Sequence, residues 1–404
     1  MEPARTYPAR RDDVRLLVVD PAAGATRALR ELRTCALPSL LAPGDLLVVN
    51  DAATLPASLL GRDEAGNAVE ARLIGAAGDG NFQAVLFGAG DWHLRTEDRP
   101  PPAPASLATG ARLFFGKGEG ELVAVVGKSR PPSPRLVELA FELAGDALWG
   151  ALYRAGRPVS YSYLTEALPL WAVQTVYAAR PWAFEMPSAG RSLSWEILLG
   201  LRRRGVGWAS LTHGAGLSAT GDPAIDAALP LPERFEIPAA TIAAIGDTHA
   251  RGGRVVAVGT TVVRALEGSS AATGAPRAGV GETDLHIDAG YRPRVTDGIF
   301  TGIHATPETH FTLLGAFAPR DLLVAALAAA EAGRFLSHEL GDAMLILPGA
   351  LASRGPSIGC RSAREDRRED HEHHGDGQPR RDGADQLDGS AEPRPVPGDH
   401  VGRL

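Results

Sequence analysis

The sequence predicts an α/β fold: an α/β main domain with an inserted antiparallel β-barrel domain and a disordered C-terminal tail. Three observations carry that reading. Short apolar runs that end in polar residues alternate with helical patterns on both sides of the chain's first third. From Gly61 to about Leu143 the pattern changes to short alternating runs, cut by clusters of Gly, Pro, Asn and Asp. Beyond Leu347, charge, Gly and Pro replace the apolar residues, and such a segment cannot offset its chain entropy. The expected division is residues 1–60 and 149–348 for the α/β domain, 61–148 for the barrel and 349–404 for the tail.

Val14–Asp20 and Asp45–Asn50 are nearly continuous apolar runs, as buried strands require. The second places Asn50 and Asp51 at a strand's carboxyl end, where ligands bind in open α/β sheets. Inside the insertion, Ala68–Ile74, Phe82–Phe87, Ala111–Phe115, Leu122–Val126 and Leu136–Phe141 are the expected barrel strands. Downstream, Ser194 caps a helix running to Arg203, Gly205 ends it, and Val206–Leu211 is a strand. Pro238–Ala250 is a helix with proline near its start. Arg254–Gly259 is a strand, Thr261–Leu266 opens a helix, Arg320–Ala332 is an Ala/Leu-rich helix and Ala343–Leu347 the last strand.

An apolar fraction of 44% with 22% charged residues describes a folded globular protein. No apolar run reaches the roughly 18 residues of a membrane span and no apolar leader is seen, so no membrane partner and a cytoplasmic location are expected. A net charge of −7 excludes a uniformly basic nucleic-acid binder, yet it hides local patches, and Lys117 and Lys128 are the two lysines among otherwise arginine cations. Cys35 and Cys360 fall in unlike surroundings, so free thiols and a reducing compartment are expected. His371, His373 and His374 read as part of a solvated tail, and no metal site is expected.

Four segments carry chemistry. In Gly252–Glu267 a buried strand ends in Gly259, and Thr260 and Thr261 follow where a helix begins. Unpaired amides and the helix dipole favour an anion there, and Arg264 stands one turn in. An ordinary βα unit with a threonine cap has the same pattern. Pro187, Ser188, Ala189 and Gly190 form a tight small-residue turn that permits close approach to a ligand, as a plain loop also does. His213 and His304 follow apparent strand ends, and Asp297 precedes the apolar run that leads to His304.

In order along the chain, NDAATLPASLLG, QTVYA, PSAG, RGGRVVAVGTTVVRALE, GETDLHIDAGY and GDAMLIL resemble the S-adenosylmethionine:tRNA ribosyltransferase-isomerase family of queuosine biosynthesis. The resemblance runs from about Arg15 to Leu347. It implies an α/β domain with an inserted β-barrel and S-adenosylmethionine as a ribosyl donor. That ribosyl part is isomerised onto 7-aminomethyl-7-deazaguanine in a tRNA anticodon loop, giving epoxyqueuosine with release of adenine and methionine and no metal. A monomer is expected. On that reading His213 or His304 does acid/base work, Asp297 orients, and Asp51 is a reserve carboxylate. Gly259, Thr260, Thr261 and Arg264 hold the donor's carboxylate, with Pro187, Ser188, Ala189, Gly190 and Asn50 also at the substrate.

Departures fall on polar positions. Where the family reads N-D-T-R-V-x-P-A-R-L, this chain has Ala53 and Ser58 in place of both arginines. Where it reads P-T/S-A-G-L-H-F, Ser192 replaces the histidine. A diverged enzyme with a small-molecule acceptor and a non-catalytic RNA-binding relative are the two other readings.

Overall fold

Leu46–Asn50 is apolar up to its last residue, and every one of its five residues is buried near the middle of a nine-stranded sheet. In order across that sheet lie Gly279–Thr283, Glu233–Ile237, Gly207–His213, Leu46–Asn50, Val255–Val258, Gly298–Gly302, Ala343–Ile346, Arg15–Val19 and Leu29–Arg33. The computed structural model describes residues 1–352 apart from Asp79, 117–120, Ser218 and 305–308. The expected disordered tail, with its three histidines, lies outside the described residues from position 353 on.

Gly207–His213, Leu46–Asn50, Val255–Val258 and Gly298–Gly302 run parallel, so their carboxyl ends meet at one end of the sheet. Ala343–Ile346 runs the other way, with Ala343 opposite Gly302. Residues 337–342, which lead into it, therefore arrive at that same end. Both faces of the sheet are covered. Helices Ala239–Ala250, Thr260–Ser270 and Arg320–Ala332 bury Ile245, Leu266 and Leu323 on one face, and Trp195–Arg203 buries Ile197 and Leu201 on the other. Ser194 caps this last helix, accepting from the Ile197 amide.

Six antiparallel strands, Ser58–Asp63, Ala68–Gly78, Asn81–Phe87, Ser133–Phe141, Leu122–Arg130 and Arg112–Phe115, pair in that order, and the last pairs back onto the first. This closes a barrel. Alternation fills it: in Leu122–Arg130, Leu122, Ala124 and Val126 are buried while the residues between them are not. The α/β class with a β-barrel stands. The edge strands Leu29–Arg33 and Gly279–Thr283, and Glu233–Ile237 next to the latter, escape the sequence reading, because charged or glycine residues interrupt their apolar pattern. The expectation for the two cysteines turns on Cys360, which lies outside the described residues. Among the described residues no helix is long and apolar enough to cross a membrane.

Candidate functional site

At the carboxyl ends of the four parallel strands lies a cleft of about 800 Å³. One wall begins at Gly259, whose φ of 90° suits glycine alone and which a Cβ would bring within 3.4 Å of the Ala189 methyl. That turn delivers the start of helix Thr260–Ser270 to the cleft, lined there by Thr260, Thr261 and Arg264. Pro187, Ser188 and Ala189 line it as well. Arg264 Nη2 stands 2.9 Å from Glu233 Oε2, and His213 Nε2 stands 3.4 Å from the same oxygen. The Gly216 amide donates to Glu233 Oε1 at 3.2 Å. Burial alone would raise the Glu233 carboxyl, but His213, Arg264 and that amide hold it below the usual range. The result is a cation and an anion side by side at a helix N-terminus.

His304 lines the cleft, its Nε2 3.0 Å from the Thr301 hydroxyl and its ring 4.8 Å from that of His310. His213 is fully buried beside Glu233 and is not among the residues that line the cleft. Asn50 is a brace. Its Oδ1 accepts from the His213 and Ala52 amides while Nδ2 donates to the His213 carbonyl, fixing two strand ends beneath the cleft. Asp51 accepts from the Ser210 and Thr212 hydroxyls at 3.0 and 2.6 Å and is not among the residues that line the cleft. Asp297 cannot orient either histidine. It precedes the Gly298–Gly302 strand, at the opposite end of the sheet, where it meets His249 at 3.0 Å and accepts from the Val255 amide.

Gly190 is not among the residues that line the cleft, and Tyr177 Oη lies 2.0 Å from where a Cβ would stand on it. Gly190→Ala is therefore expected to cost about 1–3 kcal/mol of stability by overpacking. The Tyr177 hydroxyl is buried without a hydrogen-bond partner among the described residues. Tyr177→Phe should thus be tolerated alone and restore most of the loss in the double variant, as read by chemical denaturation.

Residues the sequence reading missed are Glu233, Glu185, Tyr161, Tyr163, His338 and Glu339, all lining the cleft. The two-residue spacing of Tyr161 and Tyr163 was a usable signal. A carboxylate in the run ERFEI gave none. At Ser58, where the family motif carries arginine, the hydroxyl donates to Glu70, and Arg72 and Arg99 meet that buried carboxylate instead.

The sheet, the barrel that leaves and rejoins it, and a cleft with paired charges define an α/β protein with its cleft at the carboxyl ends of the parallel strands. The profile of the family described as "Queuosine biosynthesis protein" matches residues 2–346, and the chain belongs to that family. It is 36% identical over 355 residues to the S-adenosylmethionine:tRNA ribosyltransferase-isomerase of Gloeobacter violaceus, covering 85% of this chain and 91% of the relative. Identity to the protein of the same name from Trichlorobacter lovleyi is 32% over 350 residues, covering 84% and 95%. A solved S-adenosylmethionine tRNA ribosyltransferase from Thermotoga maritima aligns with a TM-score of 0.46 and 25% identity, covering 85% of this chain and 96% of that one.

Proposed function

We propose that this protein is an S-adenosylmethionine:tRNA ribosyltransferase-isomerase that works as a cytoplasmic monomer without a resident metal. The single observation that carries the reading is family membership over residues 2–346 by a chain whose three separate motif segments border one cleft. The donor is S-adenosylmethionine, and the acceptor is the aminomethyl group of 7-aminomethyl-7-deazaguanine in a tRNA anticodon loop.

The donor's amino-acid head is a zwitterion. Arg264 binds its carboxylate, supported by the amides of Thr260 and Thr261, and Glu233 accepts from its ammonium. His213, buried behind Glu233, holds that carboxylate in place. The carbon beside the sulfonium is acidic, and His304 is the base that takes its proton. Transfer joins the ribosyl part to the acceptor nitrogen while adenine and methionine leave.

Adenine release in the presence of tRNA bearing the aminomethyl-deazaguanine base tests the reading. His304→Ala should lower kcat by about 100-fold or more, the usual worth of a general base. His213→Ala should act mainly on KM for S-adenosylmethionine. Release unaltered in both variants would exclude these roles. No release from the wild type with any acceptor would exclude the activity.

A further inference from the structure

The end of the cleft away from the ion pair is built of rings. Tyr161 and Tyr163 are parallel within 5° at 5.6 Å, and Tyr163 and His338 within 17° at 4.8 Å. The antiparallel course of the final strand brings His338 to the two tyrosines, so segments far apart in sequence make one ladder. Tyr163 rests on the small cluster of Ala4, Leu164, Leu168, Val173 and Leu340, yet the rings are not enclosed. Both tyrosines are partly exposed, His338 is exposed, and all three line the cleft. His338 sits at φ 66°, a conformation seldom taken by a non-glycine residue. The loop holds it there: the Gly341 amide donates to the His338 carbonyl at 2.9 Å, and Asp342 accepts from the Leu336 and Arg15 amides. Beside the ladder, the Tyr163 hydroxyl donates to Glu339, another lining residue.

We infer that Tyr161, Tyr163 and His338 form a stacking platform for a purine-type ring, with the Glu339 carboxyl reading the ring's polar edge. Such a ring needs what this end of the cleft offers: a flat π-face on which to extend the stack at its end, Tyr163 being the middle ring that fixes the other two, and a group that hydrogen-bonds at the rim. Burial pushes Glu339 up to about 7, so near neutral pH it can donate as well as accept. The ring comes from one of two sources, the adenine of the donor or a base of the tRNA. Naming those sources rests on the proposed ribosyl transfer; the platform itself does not.

The test is equilibrium binding of adenosine, and separately of an anticodon stem-loop RNA, to wild type, Tyr161→Leu, Tyr163→Leu and His338→Ala. Each variant is first checked for an unchanged melting temperature. Because Tyr163 contacts Glu339 and its loss can disturb folding, Tyr161→Leu and His338→Ala carry the decision if Tyr163→Leu melts early. We expect about tenfold weaker binding of one probe or both. Weakening of adenosine alone assigns the donor's adenine, and weakening of RNA alone assigns a tRNA base. Weakening of both is a platform shared in turn. Binding of both probes unchanged in every folded variant overturns the inference, as does failure of the wild type to bind either probe. Ring-dependent adenosine binding by a protein that releases no adenine would leave the platform standing and remove the proposed reaction.

Discussion

Glu267→Ala is expected to lower the melting temperature by about 10 °C, the largest stability effect of any single change considered. Glu267 is fully buried on helix Thr260–Ser270. Its carboxylate accepts from the backbone amides of Arg294, Val295 and Thr296 and from the hydroxyls of Thr296 and Tyr291. Truncation leaves three amides and two hydroxyls without their acceptor in a water-poor interior, and breaking such a buried charged network costs about 3–5 kcal/mol. Glutamine should rescue little, because its NH₂ would face donors. The Tyr291 phenol, pushed up to about 12 by its own burial and by Glu267, should return toward its ordinary range in the alanine variant. An ultraviolet titration of the phenols reads this. The five-partner account fails if Glu267→Ala melts within about 2 °C of the wild type. Because 291–296 lead into the strand that carries Thr301 and ends two residues before His304, activity should fall with stability, and adenine release at low temperature separates the two.

Glu267 shows how much of the molecule was legible in its sequence. Its segment stood out, and the reading of a strand, a glycine turn and a helix holds to within a residue, since Val255–Val258 and Thr260–Ser270 flank Gly259. Periodicity and turn residues are local, and the buried central strands obey them. Side-chain direction at a strand end is not local. Asp51 and Asn50 are adjacent, yet one accepts from the Ser210 and Thr212 hydroxyls and the other braces the backbone of His213 and Ala52. Asp297 looked close to His304 in sequence, but a strand of five residues separates them across the sheet. Glu233 was invisible because its partners, Arg264 and His213, come from elements that only the sheet order places side by side. The platform needed the antiparallel reversal of the last strand, which no short-range pattern announces.

Arg264→Ala is expected to reduce kcat/KM for S-adenosylmethionine by about 10- to 150-fold, the worth of one charge-assisted contact of about 1.5–3 kcal/mol. The side chain is 13% exposed and paired with Glu233, so its removal also leaves a mostly buried carboxylate facing, among the described residues, His213 and the Gly216 amide. Two losses thus coincide: the donor's carboxylate forfeits its cation, and Glu233 forfeits the charge that helps hold it ionised. The carboxyl of Glu233 should then rise from its depressed position. Stability drawn from a depressed carboxylate is present above its unfolded pKa and lost as pH falls through the folded one, so the variant should lose stability at a higher pH than wild type. Arg264→Lys keeps the charge but not the two-pronged donor geometry, and should recover part of the binding and most of the acid tolerance. The kinetic split decides what Arg264 faces. A rise confined to KM for S-adenosylmethionine places the amino-acid head against it, whereas a rise confined to KM for tRNA would mean that it meets a phosphate and that the donor's carboxylate lies elsewhere.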